Sequence, residues 1–207
     1  MKISERMTIE VGTFEVNCSI IAVGRRAWIV DPGAEAERIA ALLEKKSLEP
    51  AGILLTHAHF DHVGAVPALQ KAYPGIPVFL GAADLKVIDH PMNQMPPDYP
   101  AIARPQNLTA CDGSSSIDGL DGLAILETPG HTPGGVCYYF AEDGLLLSGD
   151  TLFAGSVGRT DFPGGDMATL MRSLGQLKKL PKETVVIPGH GPFTTIEREL
   201  AGNPFLQ

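Results

Sequence analysis

The stretch of residues 51–66, AGILLTHAHFDHVGAV, constrains the fold and the chemistry of this chain more than any other. It opens with an apolar run that predicts a short strand inside a covered sheet, and His57, His59, Asp61 and His62 follow that run. Side chains two apart in an extended segment point the same way, so His57 and His59 can share one metal ion. Asp61 and His62 come where the chain turns into a predicted helix. One short loop can therefore supply ligands to two adjacent ions.

Three further polar residues follow apolar strands, and each stands beside or near a glycine. His131 comes after LAILET, Asp150 after LLLSG and His190 after VVIPG, so strand ends present them from rigid supports. Of the 6 histidines only His90, which we expect at a helix end on the surface, lies outside this pattern. Nitrogen and oxygen donors suit two divalent ions, with zinc as first choice and iron or manganese as alternatives. The predicted ligands are His57, His59, Asp61, His62, His131, Asp150 and His190.

Hydrophobic periodicity predicts strands and helices that alternate along the chain, with hairpins in the strand-rich parts. Segment 91–119, which is rich in proline, predicts a long loop beside the site. This arrangement favours an α/β layered fold with mixed sheets, and we expect a single domain over residues 1–207. Strands are predicted at 8–11, 18–23, 26–30, 52–56, 77–81, 123–128, 135–141, 144–150 and 184–190. Helices are predicted within 31–46 and at 62–73, 82–90, 166–180 and 196–200.

Charge and composition exclude several classes of function. The formal net charge is -8 without a cluster of Lys or Arg, which argues against a nucleic-acid partner. The 3 cysteines are far apart in the sequence, so we expect buried thiols in a reducing compartment. The N-terminus lacks an apolar signal region, and no apolar run reaches the ~20 residues of a membrane span, which predicts a cytoplasmic protein without a membrane partner. The oligomeric state is left open.

With this ligand pattern the chain resembles the metallo-β-lactamase superfamily, in which H-x-H-x-D-H precedes three single ligands. The resemblance extends from VNCSIIAVG and IVDPG to IPGHG, nearly the whole chain. It implies a four-layer αββα sandwich, in which two mixed sheets are flanked by helices. It also implies two metal sites and a bridging carboxylate: His57, His59 and His131 for the first ion, Asp61, His62 and His190 for the second, and Asp150 between them. Asp31, in DPG, is expected to shape a turn or cap a helix.

The segment TLFAGSVGRTDFPGGD narrows the resemblance to small glyoxalase II-like hydrolases of the YcbL type. That implies cleavage of a thioester, foremost hydroxyacylglutathione, by attack of a metal-bridging hydroxide on the carbonyl. Asp61 and Asp150 are the predicted catalytic residues. Arg159 is the predicted substrate-binding residue, because it lies where larger enzymes of the group have a Lys or Arg that contacts glutathione.

Two departures from the larger hydroxyacylglutathione hydrolases concern the substrate. Those enzymes carry a C-terminal helical domain that helps to bind glutathione, whereas we expect no such separate domain here. They also have Glu-Tyr after the last ligand histidine, where this chain has Gly191 and Pro192. The resemblance therefore supports thioester cleavage more strongly than it supports glutathione as the thiol.

Two other activities remain as alternatives. Persulfide dioxygenases share the fold and a similar GRTDF segment, and hold one iron at the positions of His57, His131 and Asp150. The residues FPGG after that Asp favour the hydrolases. A lactonase or β-lactamase is the second alternative, because the same fold permits both.

Overall fold

Two β-sheets form the centre of the molecule, for which a computed structural model describes residues 2–91 and 103–207. The first sheet has the order β1-β2-β3-β4-β5-β6 and the second the order β13-β12-β9-β8-β7. Both sheets are mixed, since each contains parallel and antiparallel pairs. The first sheet consists of β1 Glu5–Val11, β2 Val16–Val23, β3 Arg26–Val30, β4 Glu49–Leu54, β5 Val78–Gly81 and β6 Leu108–Cys111. The second consists of β7 Leu123–Glu127, β8 Val136–Phe140, β9 Leu145–Gly149, β12 Val185–Pro188 and β13 Thr194–Thr195.

The helices lie outside this pair of sheets. They are α1 Ala36–Lys45, α2 Phe60–Val63, α3 Val66–Ala72, α4 Met167–Leu177 and α5 Ile196–Gly202, and a small hairpin pairs β10 Leu152–Phe153 with β11 Ser156–Val157. Short 3₁₀ turns cover Ala82–Leu85 and Ala141–Asp143. No helix among the described residues is long and apolar enough to cross a membrane.

Three hydrophobic clusters account for the layers. One joins the first sheet to α1 and α3, and includes Ile39 and Leu43, the buried residues of α1. A second lies between the sheets, where Trp28 and Leu54 of one meet Phe140 of the other. A third joins the second sheet to α4 and α5. The predicted αββα sandwich is therefore confirmed. All three cysteines are buried and free, as expected.

The structure corrects three predicted elements. The helix predicted at 62–73 is divided into α2 and α3, because Pro67 cannot donate to the preceding turn and is accommodated only in the first turn of a new helix. The helix predicted at 82–90 is reduced to the 3₁₀ turn at Ala82–Leu85. The loop predicted at 91–119 contains β6, which is formed by parallel pairing with β5 rather than by any local periodicity. Residues 92–102 of that prediction lie outside the described part.

The predicted supports of the site are present in both sheets. β4 of the first sheet precedes the H-x-H-x-D-H loop, and β7, β9 and β12 of the second precede the three later candidates. β7 and β9 are both antiparallel to β8, and β12 is parallel to β9, so these three strands run in one direction. Their carboxyl ends therefore lie at one edge of the second sheet, where the ligands that follow them meet those of the loop after β4.

Candidate metal centre

All seven predicted ligands converge at this edge. Within each of three groups, one potential ligand atom per residue lies within 4.8 Å of the others. The groups are His57, His59 and His131; His57, His62 and Asp150; and Asp61, His62 and His190. The first and third match the two sets implied by the resemblance, and the second connects them. His90 is exposed as predicted, although no helix ends there, and it belongs to none of the three groups.

Asp150 occupies the middle of the cluster. One of its carboxylate oxygens lies 3.4 Å from Nε2 of His62. The other lies 3.5 Å from Nε2 of His131 and 3.7 Å from Nε2 of His190. Asp61 has a carboxylate oxygen 3.3 Å from Nε2 of His190. Asp150 is therefore placed where a carboxylate that bridges two ions has to lie.

Oxygen atoms behind the cluster fix the orientation of the imidazole rings. Nδ1 of His131 donates to the carbonyl of Arg159 at 2.7 Å, and Nδ1 of His190 donates to the carbonyl of Phe14 at 2.8 Å. In both rings this leaves the Nε2 lone pair facing the centre, as metal ligation requires. His59 is turned the other way, since its Nδ1 is 2.9 Å from Nε2 of His131. The motif thus offers Nδ1 from its second histidine.

Asp31 orients His62, a role that the sequence did not suggest. The buried carboxylate of Asp31 accepts from the backbone N–H of Thr56 at 2.8 Å and from its hydroxyl at 2.7 Å. An oxygen of the same carboxylate lies 3.0 Å from Nδ1 of His62. The expected turn is present, since the N–H of Gly33 donates to the carbonyl of Asp31 at 2.9 Å, but the alternative of a helix cap is wrong because α1 begins after Glu35.

Asp84 is a second carboxylate that sequence reasoning missed. It is fully buried and lies outside the cluster, in the 3₁₀ turn that follows β5. Its Oδ2 accepts from the N–H of Ala58 at 2.9 Å and from the hydroxyl of Thr132 at 2.8 Å, while Oδ1 accepts from the N–H of Gly134 at 2.6 Å. Asp84 thereby connects the loop that carries His57 and His59 to the loop that carries His131.

Replacing Asp84 with asparagine is expected to weaken metal binding by roughly 10- to 100-fold, the usual effect of losing a partner behind a ligand. The amide keeps the shape but presents an N–H₂ group to a backbone donor, which costs about 1–3 kcal/mol of stability. Metal titration and urea unfolding of Asp84→Asn measure both effects. Asp112→Asn, in an exposed turn, is the matched control and should leave metal affinity unchanged. Equal affinities for wild type and Asp84→Asn would contradict this role.

The ionisation of the cluster reflects its burial and its mixture of charges. Burial is the largest influence on His57 and, with the neighbouring histidines, lowers its pKa well below the usual value. Burial and His131 lower the pKa of His59 to about 4. Burial opposes charge on His62 as well, but the carboxylates of Asp31 and Asp150 outweigh it and raise its pKa well above the usual value. In the metal-free protein, a proton on the imidazole of His62 therefore balances part of the negative charge of the buried carboxylates.

Metal binding is expected to release protons at neutral pH. The pKa of His190 is also raised, because the carboxylates of Asp61 and Asp150 outweigh its burial. A ligand whose pKa is raised carries its proton up to a higher pH, and that proton must leave before the imidazole can bind a metal. Metal affinity should therefore rise as pH increases from 6 to 8. Calorimetric titration with Zn²⁺ in buffers of different ionisation enthalpy measures the released protons. An affinity independent of pH would contradict this expectation.

The residues of the cluster fit divalent cations. Nε2 of His57 and Oδ1 of Asp150 are buried, and neither finds a hydrogen-bond partner of good geometry among the described residues. Such atoms are costly unless an ion or water satisfies them. Glycine at position 189 keeps side-chain atoms out of the cluster. A Cβ added there would lie 2.1 Å from Oδ1 of Asp150 and 2.7 Å from Cε1 of His62. Five imidazoles and two carboxylates are a donor set for zinc, iron or manganese.

Arg159 lies at the rim of the centre, next to the histidines of the first group. Its guanidinium makes two contacts of 2.6 Å with the carboxylate of Asp161 and lies 3.9 Å from the ring centre of Phe162. Phe162 in turn contacts the edge of His59, with 5.6 Å between ring centroids. The exposed guanidinium is therefore held beside the centre. No contact among the described residues shows its predicted role in substrate binding, which stays a prediction.

Comparison with known proteins identifies the family. The model of the metallo-beta-lactamase superfamily matches residues 11–190. The chain belongs to this superfamily. It is 40% identical over 201 residues to the probable metallo-hydrolase YqgX of Bacillus subtilis, covering 95% of this chain and 94% of that one. It is 38% identical over 209 residues to the hydroxyacylglutathione hydrolase GloC of Haemophilus influenzae, covering 96% of each. The coarse prediction of a metallo-hydrolase is confirmed by these matches.

Solved structures of the superfamily superpose closely on this chain. The BLEG-1 B3 metallo-beta-lactamase matches with a TM-score of 0.89 and 38% identity, covering 98% of this chain and 99% of that one. TTHA1623 in a di-iron-bound form matches with a TM-score of 0.86 and 40% identity over 97% and 100%. ETHE1 from Myxococcus xanthus gives 0.79 and 25% over 97% and 83%. All three agree with the fold, and the di-iron form of TTHA1623 is compatible with a centre that holds two ions.

Proposed function

We propose that this member of the superfamily hydrolyses thioesters, with hydroxyacylglutathione as the leading substrate and zinc as the leading metal. The observation that carries the proposal is the complete seven-residue cluster with a carboxylate, Asp150, in its middle. The relative GloC, named as a hydroxyacylglutathione hydrolase, supports the choice of substrate. A thiolate leaves readily, so the reaction does not depend on a strong general acid beside the centre.

The chain's own residues have distinct parts in this reaction. When bound, two divalent ions would supply a nucleophilic hydroxide at neutral pH and polarise the scissile carbonyl. Burial favours a neutral imidazole at His57 and at His59 and keeps it available as a ligand. Asp150, whose pKa is lowered by the surrounding histidines against the effect of burial, stays ionised and can accept a hydrogen bond that orients the nucleophile. Asp61 adds a second carboxylate.

A persulfide dioxygenase is the second candidate, supported by the structural likeness to ETHE1. The residues implied for a single iron, His57, His131 and Asp150, are part of the same cluster, so the donor set accommodates either activity. Residues 161–165, DFPGG, follow the hydrolase pattern. A lactam or lactone substrate is a third candidate, supported by the likeness to BLEG-1.

One preparation tests all three candidates. Protein purified without added metal is analysed for zinc, iron and manganese, and the same sample is assayed with S-lactoylglutathione, with glutathione persulfide in an oxygen electrode, and with a lactone and β-lactam panel. The proposal expects about two ions per chain and thioester cleavage without oxygen uptake. One iron per chain with oxygen uptake would replace it with the dioxygenase, and cleavage of lactams alone would replace it with a lactamase.

Arg159 is expected to bind a carboxylate of the substrate. Replacing it with methionine should raise KM for a carboxylate-bearing thioester about tenfold with little change in kcat, because a rim charge contributes to binding rather than to bond cleavage. Asp161→Asn should lower KM, since it frees the guanidinium from its present partner. Arg172→Met removes an exposed arginine of α4 and is the control. Unchanged KM in Arg159→Met would exclude this anchor.

A further inference from the structure

An apolar cleft adjoins the centre at Asp61, whereas Arg159 lies next to His131 of the first group. The volume of the cleft is about 320 Å³, and the tip of the β1–β2 hairpin forms one wall. The cleft reaches Asp61, a predicted ligand of the second ion. One substrate molecule can therefore place a group in the cleft and contact the metal ions. Lining residues from three segments carry the argument: Gly12, Thr13 and Phe14, then Gly33 and Ala34, then Phe60.

The chemistry of the lining specifies the kind of group that fits. Of the described residues around the cleft, only Thr13 and Asp61 are polar, and none is a lysine or arginine. Phe14 and Phe60 stand edge to face with 5.2 Å between ring centroids and provide an aromatic wall. Such a surface favours burial of a hydrocarbon group, whereas the lining offers a carboxylate no lysine or arginine as a partner.

The first and third groups of ligands therefore have chemically different surroundings. Arg159 and Phe162 lie beside His59 and His131 of the first group, and offer a charge to an anion. The apolar cleft lies beside Asp61 of the third group. Resting on the proposed function, we infer that the cleft binds an apolar acyl group of the thioester while Arg159 binds a carboxylate of the thiol. The enzyme then prefers acyl chains longer and less polar than lactoyl.

The wall of the cleft is also connected to the centre. The carbonyl of Phe14, in the hairpin tip, accepts from Nδ1 of His190 at 2.8 Å. Asn17, at the base of the same hairpin, donates to the carbonyls of Pro188 and Gly191 at 3.0 and 2.9 Å. An acyl group that packs against Phe14 therefore contacts the residue whose backbone orients a ligand. Phe14 is a specificity-determining residue rather than a catalytic one.

A series of thioesters with one thiol and acyl groups from acetyl to pentanoyl tests this inference. For wild type, kcat/KM should rise about threefold to fourfold per added methylene, the ratio that burial of one CH₂ group supports. Phe14→Ala removes the wall and Ala34→Leu fills the cleft, and both should flatten the rise of kcat/KM with chain length. A wild-type rate that is flat or falls with chain length would overturn the inference.

Two control variants test whether the same substitutions outside the cleft also change the dependence on chain length. Phe193 is 44% exposed, close to the 43% of Phe14, but does not line the cleft. Phe193→Ala should therefore keep the dependence on chain length. Ala41 is exposed on α1, so Ala41→Leu makes the same change as Ala34→Leu elsewhere on the surface. If these controls flatten the series as much as the cleft variants do, the cleft is not the acyl site.

Binding without catalysis distinguishes failure of the cleft from failure of the proposed function. ¹⁵N-labelled zinc-loaded protein is titrated with pentanamide and, separately, with acetamide, which has the same polar group. Pentanamide should shift the amide signals of Gly12, Gly33 and Gly64, and acetamide should not. Such shifts without any thioester cleavage would support the cleft as a binding site for apolar groups and refute the proposed thioesterase activity. Thioester cleavage with no such shifts would refute the cleft alone.

Discussion

Asp150→Asn is expected to lower kcat/KM more than about 100-fold and to reduce the bound metal from two ions to about one. Removing a partner behind a ligand already costs 10- to 100-fold, and Asp150 lies within the cluster itself. The substitution preserves shape but removes the negative charge that faces three histidines at 3.4 to 3.7 Å. Turnover assays and elemental analysis of the same purified sample measure both effects.

The control for this change is Asp118→Asn, which alters a carboxylate that is 91% exposed and paired with Arg26. Activity and metal content should stay at wild-type values there, because surface ion pairs contribute little. Two tightly bound ions and wild-type turnover in Asp150→Asn would show that Asp150 does not bridge the ions. Loss of activity with both ions retained would instead assign Asp150 to orientation of the nucleophile alone.

Gly33→Ala is expected to destabilise the protein by about 3 kcal/mol or more, at the upper end for overpacking. A Cβ at this position would lie 1.5 Å from the carbonyl oxygen of Asp61 and 2.7 Å from its carbonyl carbon. Both are backbone atoms, so the loop that carries Asp61 has to move. Urea unfolding of the metal-free protein measures the stability, and metal titration should show weaker binding of the second ion.

Gly175→Ala, within α4, is the matched control for Gly33→Ala. No atom lies within 4 Å of a Cβ added there, and alanine stabilises a helix interior by about 0.5–1 kcal/mol relative to glycine. The two identical substitutions should therefore act in opposite directions. If Gly33→Ala unfolded at the same urea concentration as wild type, the close contact between the two loops would not exist in solution.

The ligands could be predicted from sequence because each one has a local signal. H-x-H-x-D-H is a spacing that ordinary loops have no reason to contain, and His131, Asp150 and His190 each follow an apolar strand beside a glycine. The layers could be predicted for a similar reason, since the apolar stripe of α1 and the buried strands are visible as periodicity. These features depend on neighbours in the chain.

The supports of the site have no such local signal. Asp84 is 48 residues from Thr132 and 50 from Gly134, and its role exists only after folding brings these loops together. Asp31 reaches Thr56 across 25 residues, and its turn-like sequence suggested a commoner role. β6 escaped prediction because LTAC is short, and only pairing with β5 makes it a strand. The direction of the His59 ring is likewise a property of the assembled centre.

The convergence of both sheets on one centre has a consequence for how the protein is made. The first four ligand positions are complete at residue 62, but the last is residue 190. A ribosome must therefore add 128 residues after His62 before the second ion can contact its full set of donors. Early in synthesis the H-x-H-x-D-H loop can offer only a partial site. Full coordination of the second ion is therefore possible only after residue 190 has been made and both sheets contribute their ligands.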